Sequence, residues 1–216
     1  MKKILILSLL FVLSVSYAFS KTVAGRHQIE LDDPVDDVQE NKGKPGKDVT
    51  HVGIVSDGEN LHVTVELAKN VSYYLNDQLA GPVIEMHFNT DNNDKTGGIA
   101  FWGTEKKGFE YEVDVVACIQ YENGGLACLG ALGDKIKGFA SSYKVSQYEQ
   151  DQKMPKSVSS DLEHVQNEIT GKTVEVTFPY SEIGIKSGNR IRILIRESDS
   201  TFNDASYFPD VFFIVK

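Results

Sequence analysis

The stretch "GFEYEVDVVACIQYENGGLACLG", Gly108 to Gly130, decides how the rest of the chain is read. In its first half Phe109, Tyr111, Val113 and Val115 alternate with Glu110, Glu112 and Asp114. A period of two marks a strand with one buried face, because successive side chains point to opposite sides. The centre, Asn123-Gly124-Gly125, is a hairpin signal, since Asn and Gly accept the positive φ of tight turns. Counting outward from that turn sets Cys118 and Cys128 opposite or nearly opposite each other. They are the chain's two cysteines, and neither C-x-x-C spacing nor a ligand cluster accompanies them. A cross-strand disulfide in an oxidising compartment is therefore expected.

The same period recurs along the chain. "NLHVTVELA" sets Leu61, Val63, Val65 and Leu67 against His62, Thr64 and Glu66. "VIEMHF" places Ile84, Met86 and Phe88 on one face, and "KTVEVTFP" does so with Val174, Val176 and Phe178. "RIRILIRE" sets Ile191, Ile193 and Ile195 against Arg190, Arg192 and Arg196, which read as a solvated, salt-bridged stripe. "DVFFIVK" is a last, more fully apolar strand. Turn signals at Asp57-Gly58, Gly97-Gly98, Thr170-Gly171 and Ser187-Gly188 punctuate these runs. Residues 181–184 suit one helical turn, and residues 134–165 show little pattern. Many short strands without a βαβ rhythm predict an all-β fold: an antiparallel two-sheet β-sandwich, jelly-roll or immunoglobulin-like, over residues 48–216.

The beginning, "MKKILILSLLFVLSVSYAFS", has the charged start, apolar run and small-residue ending of a signal peptide over residues 1–20. Its apolar run is too short to span a bilayer, so export to the periplasm or the extracellular space is expected, without stable membrane insertion. Residues 21–47 read as a polar leader that joins the sheet near His27 to Leu31. Of 22 Lys+Arg and 31 Asp+Glu, the first 20 residues hold two lysines and no acid. The mature chain thus carries 20 − 31 = −11. Such a surface repels phosphate backbones and anionic lipid, so nucleic acid is not an expected partner.

Three segments, in order, resemble the sandwich family that includes family 9 carbohydrate-binding modules and DOMON-like domains. They are "DVTHVGIVSDGENLHVTVELA" (Asp48 to Ala68), "FNTDNNDKTGG" with the following "GFEYEV", and "VEVTFPYSEIGIKSGNRIRILIRESDS". The resemblance implies a sandwich that binds a ligand, a glycan first, without transforming it. Another envelope component or an envelope protein would serve equally. It also implies an alternative, a b-type haem held by Met and His or by Met and Lys, as some DOMON-like domains do. Met86, His87, Met154 and His164 are the candidates here. Met86 and His87, as strand neighbours, point to opposite faces, so both cannot bind one iron, and Met86 reads as core.

"HFNTDNNDKTGG", His87 to Gly98, concentrates oxygen donors. Calcium takes six to eight oxygens from carboxylates, amides, carbonyls and water. Asp91 and Asn93 can bend toward one centre, with Glu110 from the following strand, where resembling domains also carry an acid. Asp94 and Asn89 would contribute from outside, and Lys95 or Thr96 through a backbone carbonyl. The spacing is not that of an EF-hand. A plain polar turn is the competing reading, since Asp and Asn also bond their own backbone.

Stacking faces for a sugar are offered by Trp102, Tyr73, Tyr74 and Tyr207. Trp102, the only tryptophan, reads equally as a ligand platform or as a lid on the core. The sequence has no G-x-S-x-G or H-E-x-x-H motif, and the one catalytic pairing its many acids leave open is two carboxylates for glycoside hydrolysis.

Overall fold

The computed structural model describes residues 27–33, 48–75, 82–100, 105–128, 135–161, 171–198 and 205–216. In chain order the strands begin with β1 (Gln28–Asp32), β2 (Val49–Ser56), β3 (Asn60–Leu67), β4 (Pro82–Asn89) and β5 (Gly98–Ala100). Next come β6 (Lys106–Phe109), β7 (Tyr111–Tyr121), β8 (Leu126–Ala127), β9 (Ile136–Gln147) and β10 (Lys156–Asp161). The last are β11 (Thr173–Pro179), β12 (Arg190–Ser198), β13 (Ala205–Tyr207) and β14 (Val211–Ile214). Among the described residues one short helix, α1 (Val71–Leu75), and a 3-10 turn at Tyr180–Ile183 stand between strands.

A four-stranded sheet runs β1-β2-β3-β11, and an eight-stranded sheet runs β10-β9-β7-β4-β12-β13, with β8 on β7 and β14 on β12. The two pack face to face as an antiparallel β-sandwich, the expected class. The alternating residues enter the core from both sides. Val63 stands opposite Ile54 on one flank and Val176 on the other. Across the interior Phe178 meets Phe88 edge-on at 6.1 Å and Tyr143 at 5.6 Å. These apolar faces drive the two sheets together, since neither can shed water alone.

β1 pairs with β2 from Gln28↔Val55 to Asp32↔His51 and buries Ile29 and Leu31, so the leader joins the sheet where expected. The turn after Pro179 is also where the sequence set it. Gly184 closes it at φ 65 and donates its N–H to the Tyr180 carbonyl, a left-handed cap that glycine adopts without strain. Cys118 and Cys128 form a disulfide, beside the pairs Ile119↔Ala127 and Gln120↔Leu126.

Within the stretch read as patternless, residues 135–161 are described and carry regular strands. They supply β9 and β10, and β9 pairs with β7 from Tyr111↔Gln147 to Tyr121↔Ile136. Serines hid the alternation. Ser141, on the core side with Phe139, Tyr143 and Val145, is buried and donates to the Glu175 carbonyl at 2.6 Å. Tertiary partners make these hydroxyls tolerable inside. Among the described residues no helix is long and apolar enough to cross a membrane.

Candidate functional site

The loop after β4 folds back on the start of β7, and Thr96 sits at its centre. The Thr90 N–H donates to Glu110 Oε2 at 2.7 Å. Thr96 Oγ1 lies 3.0 Å from Glu110 Oε1, 2.9 and 3.1 Å from the two Asp91 carboxylate oxygens, and 2.9 Å from the Asn93 carbonyl. A hydroxyl has one proton to give. Four acceptor oxygens around it leave three contacts between lone pairs. Burial, chiefly, pushes the Glu110 carboxyl above its ordinary range, and the Asp91 charge adds to it. Gly97, at φ 63, makes the wrap possible: a Cβ there would collide with the Phe109 carbonyl oxygen and lie 2.7 Å from Glu110 Oε1.

Asp91 and Glu110 therefore converge, as the sequence suggested, but the rest of the expected donor set differs. Asn93 offers its carbonyl, while its side-chain oxygen accepts from the Lys95 N–H at 3.1 Å. Asp94 turns away to Arg192 Nη1 at 2.8 Å, because a full positive charge is within its reach. Asn89 is buried beneath, accepting from the Asn93 N–H at 3.1 Å and donating to Asp94. Thr96 takes part through its hydroxyl, which sequence reasoning missed. No group of three His, Cys, Asp or Glu side chains is placed around a metal position among the described residues.

The aromatic candidates separate. Trp102 lies outside the described residues, as does His164. Tyr73 is 44% exposed on α1, with Lys69 Nζ 4.3 Å above its ring. Tyr74 is 6% exposed and belongs to the core, so it offers no stacking face. The helix, rather than a strand, sends the two rings to different environments. Tyr207 is half-buried against the eight-stranded sheet, and its hydroxyl is buried with no hydrogen-bond partner among the described residues. Met86 is fully enclosed in the core, His87 is buried on the opposite face, and Met154 is exposed.

That opposite face holds what the sequence did not announce. Strand register aligns Tyr207, Arg196, Glu85, Asp114 and Lys144 in one row across β13, β12, β4, β7 and β9. Arg196 is only 1% exposed and binds Glu85 Oε2 at 2.6 Å, so it is not part of a solvated stripe. Arg192 is half-buried too, with Lys107 O at 2.6 Å and the Phe109 ring 4.8 Å beneath it, while Arg190 stays exposed against Phe212. Lys144 Nζ reaches Asp114 at 3.5 Å. In the next row His87 stands opposite Glu112. Tyr148 Oη lies 2.7 Å from Glu112 Oε2 and 3.2 Å from His87 Nδ1.

Placing like charges opposite one another, as Glu85 and Asp114 are, is costly on a sheet. Burial, partly countered by Arg196, pushes Glu85 up to about 7. Burial and the neighbouring Asp114 push Glu112 up as well, and burial pushes His87 down to about 3, keeping its imidazole neutral. His87 as the Nδ1–H tautomer would donate to Tyr148 Oη, which donates to Glu112 in turn. This arrangement satisfies all three groups. Displaced pKa values cluster at functional sites, and structural ion-pair networks produce them as well. The sequence signal was present, in Glu112, Asp114 and Arg196 on non-core faces. Alternation alone cannot say that such a face is covered.

These features define a class: an antiparallel β-sandwich with an oxygen-lined end loop and a charged outer sheet face. Compared with known proteins, the chain matches no family model, no curated protein and no solved structure.

Proposed function

We propose that the protein is an exported, non-catalytic binding module for a glycan or another envelope component, with one structural calcium ion at the Asp91–Glu110 loop. The observation that carries the ion is the crowding of Asp91, Glu110 and the Asn93 carbonyl around the single Thr96 hydroxyl. A cation among these oxygens would remove the repulsion between lone pairs and tie the loop to β7. Further oxygens would come from water. The disulfide and the signal-like first 20 residues support export. The resemblance to family 9 carbohydrate-binding modules and DOMON-like domains, together with the charged outer face, supports a binding role.

Calcium titrated into chelator-stripped protein should raise the melting temperature. The gain follows RT ln(1 + [L]/Kd), about 2.7 kcal/mol at a hundredfold excess. Asp91→Ala should abolish that gain, whereas Glu66→Ala, on the outer face of the four-stranded sheet, should keep it. A melting curve indifferent to millimolar calcium in wild type would reduce the loop to a polar turn. For the ligand, a glycan array is the direct measurement, with Trp102→Ala expected to lose retention while the melting temperature holds. A protein that binds no glycan but captures an envelope protein would act as an adaptor.

A further inference from the structure

We infer that the charged row on the outer face of the eight-stranded sheet seats a neutral, hydroxyl-rich ligand. Glu85, Asp114 and Glu112 would accept its hydroxyl protons, and Arg196 and Lys144 would donate to its oxygens. The inference rests on the binding-module reading above and gives that reading a place and a ligand chemistry.

The first ground is spare acceptor capacity. A carboxyl group offers several acceptor sites, and one donor as well when it holds a proton. Among the described residues, Glu85 has Arg196, Asp114 has Lys144 at 3.5 Å, and Glu112 has Tyr148 with His87 Nδ1 at 3.3 Å. Each carboxyl thus has one or two donors among the described residues, which leaves acceptor sites open.

Charge order is the second ground. Along the row a basic, two acidic and a basic side chain follow one another: Arg196, Glu85, Asp114, Lys144. An anionic ligand meets two adjacent carboxylates, and a cationic one meets Arg196 and Lys144 on its flanks. A hydroxyl both donates and accepts, so a polyol complements the whole order.

Access is the third. The Lys144 side chain is 48% exposed, and Glu85 and Asp114 each keep 7% exposure, so the row opens to solvent at its Lys144 end. Tyr207, opposite Arg196, adds a hydroxyl donor with no partner among the described residues.

The test is titration calorimetry with a panel of neutral oligosaccharides: cellohexaose, xylohexaose, maltohexaose and mannohexaose. Galacturonate trimer and chitosan hexamer form the charged arms. At least one neutral oligosaccharide should bind. Asp114→Asn and Lys144→Gln should each weaken it about tenfold or more, the loss expected for one hydrogen bond to a charged group, with Glu66→Gln unchanged. Lys144 is exposed enough for its variant to fold, so it decides the matter if Asp114→Asn does not fold. Neutral-sugar binding untouched by both variants overturns the inference and leaves the binding-module reading standing. Binding of the charged oligosaccharides alone overturns the ligand class. No binding by any of them at millimolar concentration overturns the inference together with the glycan reading beneath it.

Discussion

Tyr148 donates its hydroxyl to Glu112 at 2.7 Å while its ring packs with Ala100 and Phe109 of the β5–β6 hairpin. One residue thus joins the hairpin to the sheet face beneath it. The end loop leads directly into the same hairpin at Gly98, so the loop and the charged face are mechanically adjacent.

Removing that hydroxyl leaves Glu112 and His87 short of a partner in a place with little water. Tyr148→Phe should therefore cost about 1–3 kcal/mol in urea unfolding, as expected for a buried hydrogen-bonded group left unpaired. Tyr73→Phe, at an exposed ring, should change stability by less than about 0.5 kcal/mol. Equal effects would show that the bond contributes nothing.

Glu85 makes stability depend on pH. Its folded pKa, about 7, lies above the ordinary 4.5, so the folded state holds a proton that the unfolded state releases. Its contribution is fully present below about pH 4.5 and is lost as pH rises through 7. The loss amounts to roughly 3 kcal/mol across that window. Glu85→Gln should flatten this part of the profile, measured as unfolding free energy against pH. An unchanged slope would show that Glu85 titrates normally.

The disulfide closes a loop with a sequence separation of 10. In the chain-entropy account the Cys118→Ser/Cys128→Ser double variant should lose about 2–3 kcal/mol. Mass analysis after alkylation without reductant should find no labelled thiol in the purified protein. Two labelled cysteines would contradict the bond.

Tyr73 and Tyr74 offer a paired comparison. Truncating the buried Tyr74 to alanine should cost about 3–5 kcal/mol, the range for a large aromatic removed from a core. Tyr73→Ala should leave the melting temperature nearly unchanged and, on the binding-module proposal, is the one of the two expected to affect ligand retention.

Local patterns carried much of the fold. Leu61 to Leu67, Val174 to Phe178 and Ile191 to Ile195 announce their strands because a pleated chain sorts neighbours by face without outside help. Cys118 and Cys128 could be paired from the sequence because the Asn123-Gly124 turn brings them together within one hairpin. The meeting of Asp91 and Glu110 was half legible, since they stand at the two ends of the connection between β4 and β7, but the central hydroxyl of Thr96 depends on how the loop after β4 wraps. β9 stayed hidden because a buried serine looks polar until its acceptor, here the Glu175 carbonyl on another strand, is in place. The charged row was legible only as residues that avoid the core. Tyr207, Arg196, Glu85, Asp114 and Lys144 come from five strands scattered along the chain, and sheet order and register alone set them side by side. Alternation tells each side chain which way to face; only tertiary packing decides what it faces, and so whether a charge stays in water or is held under cover with a displaced pKa.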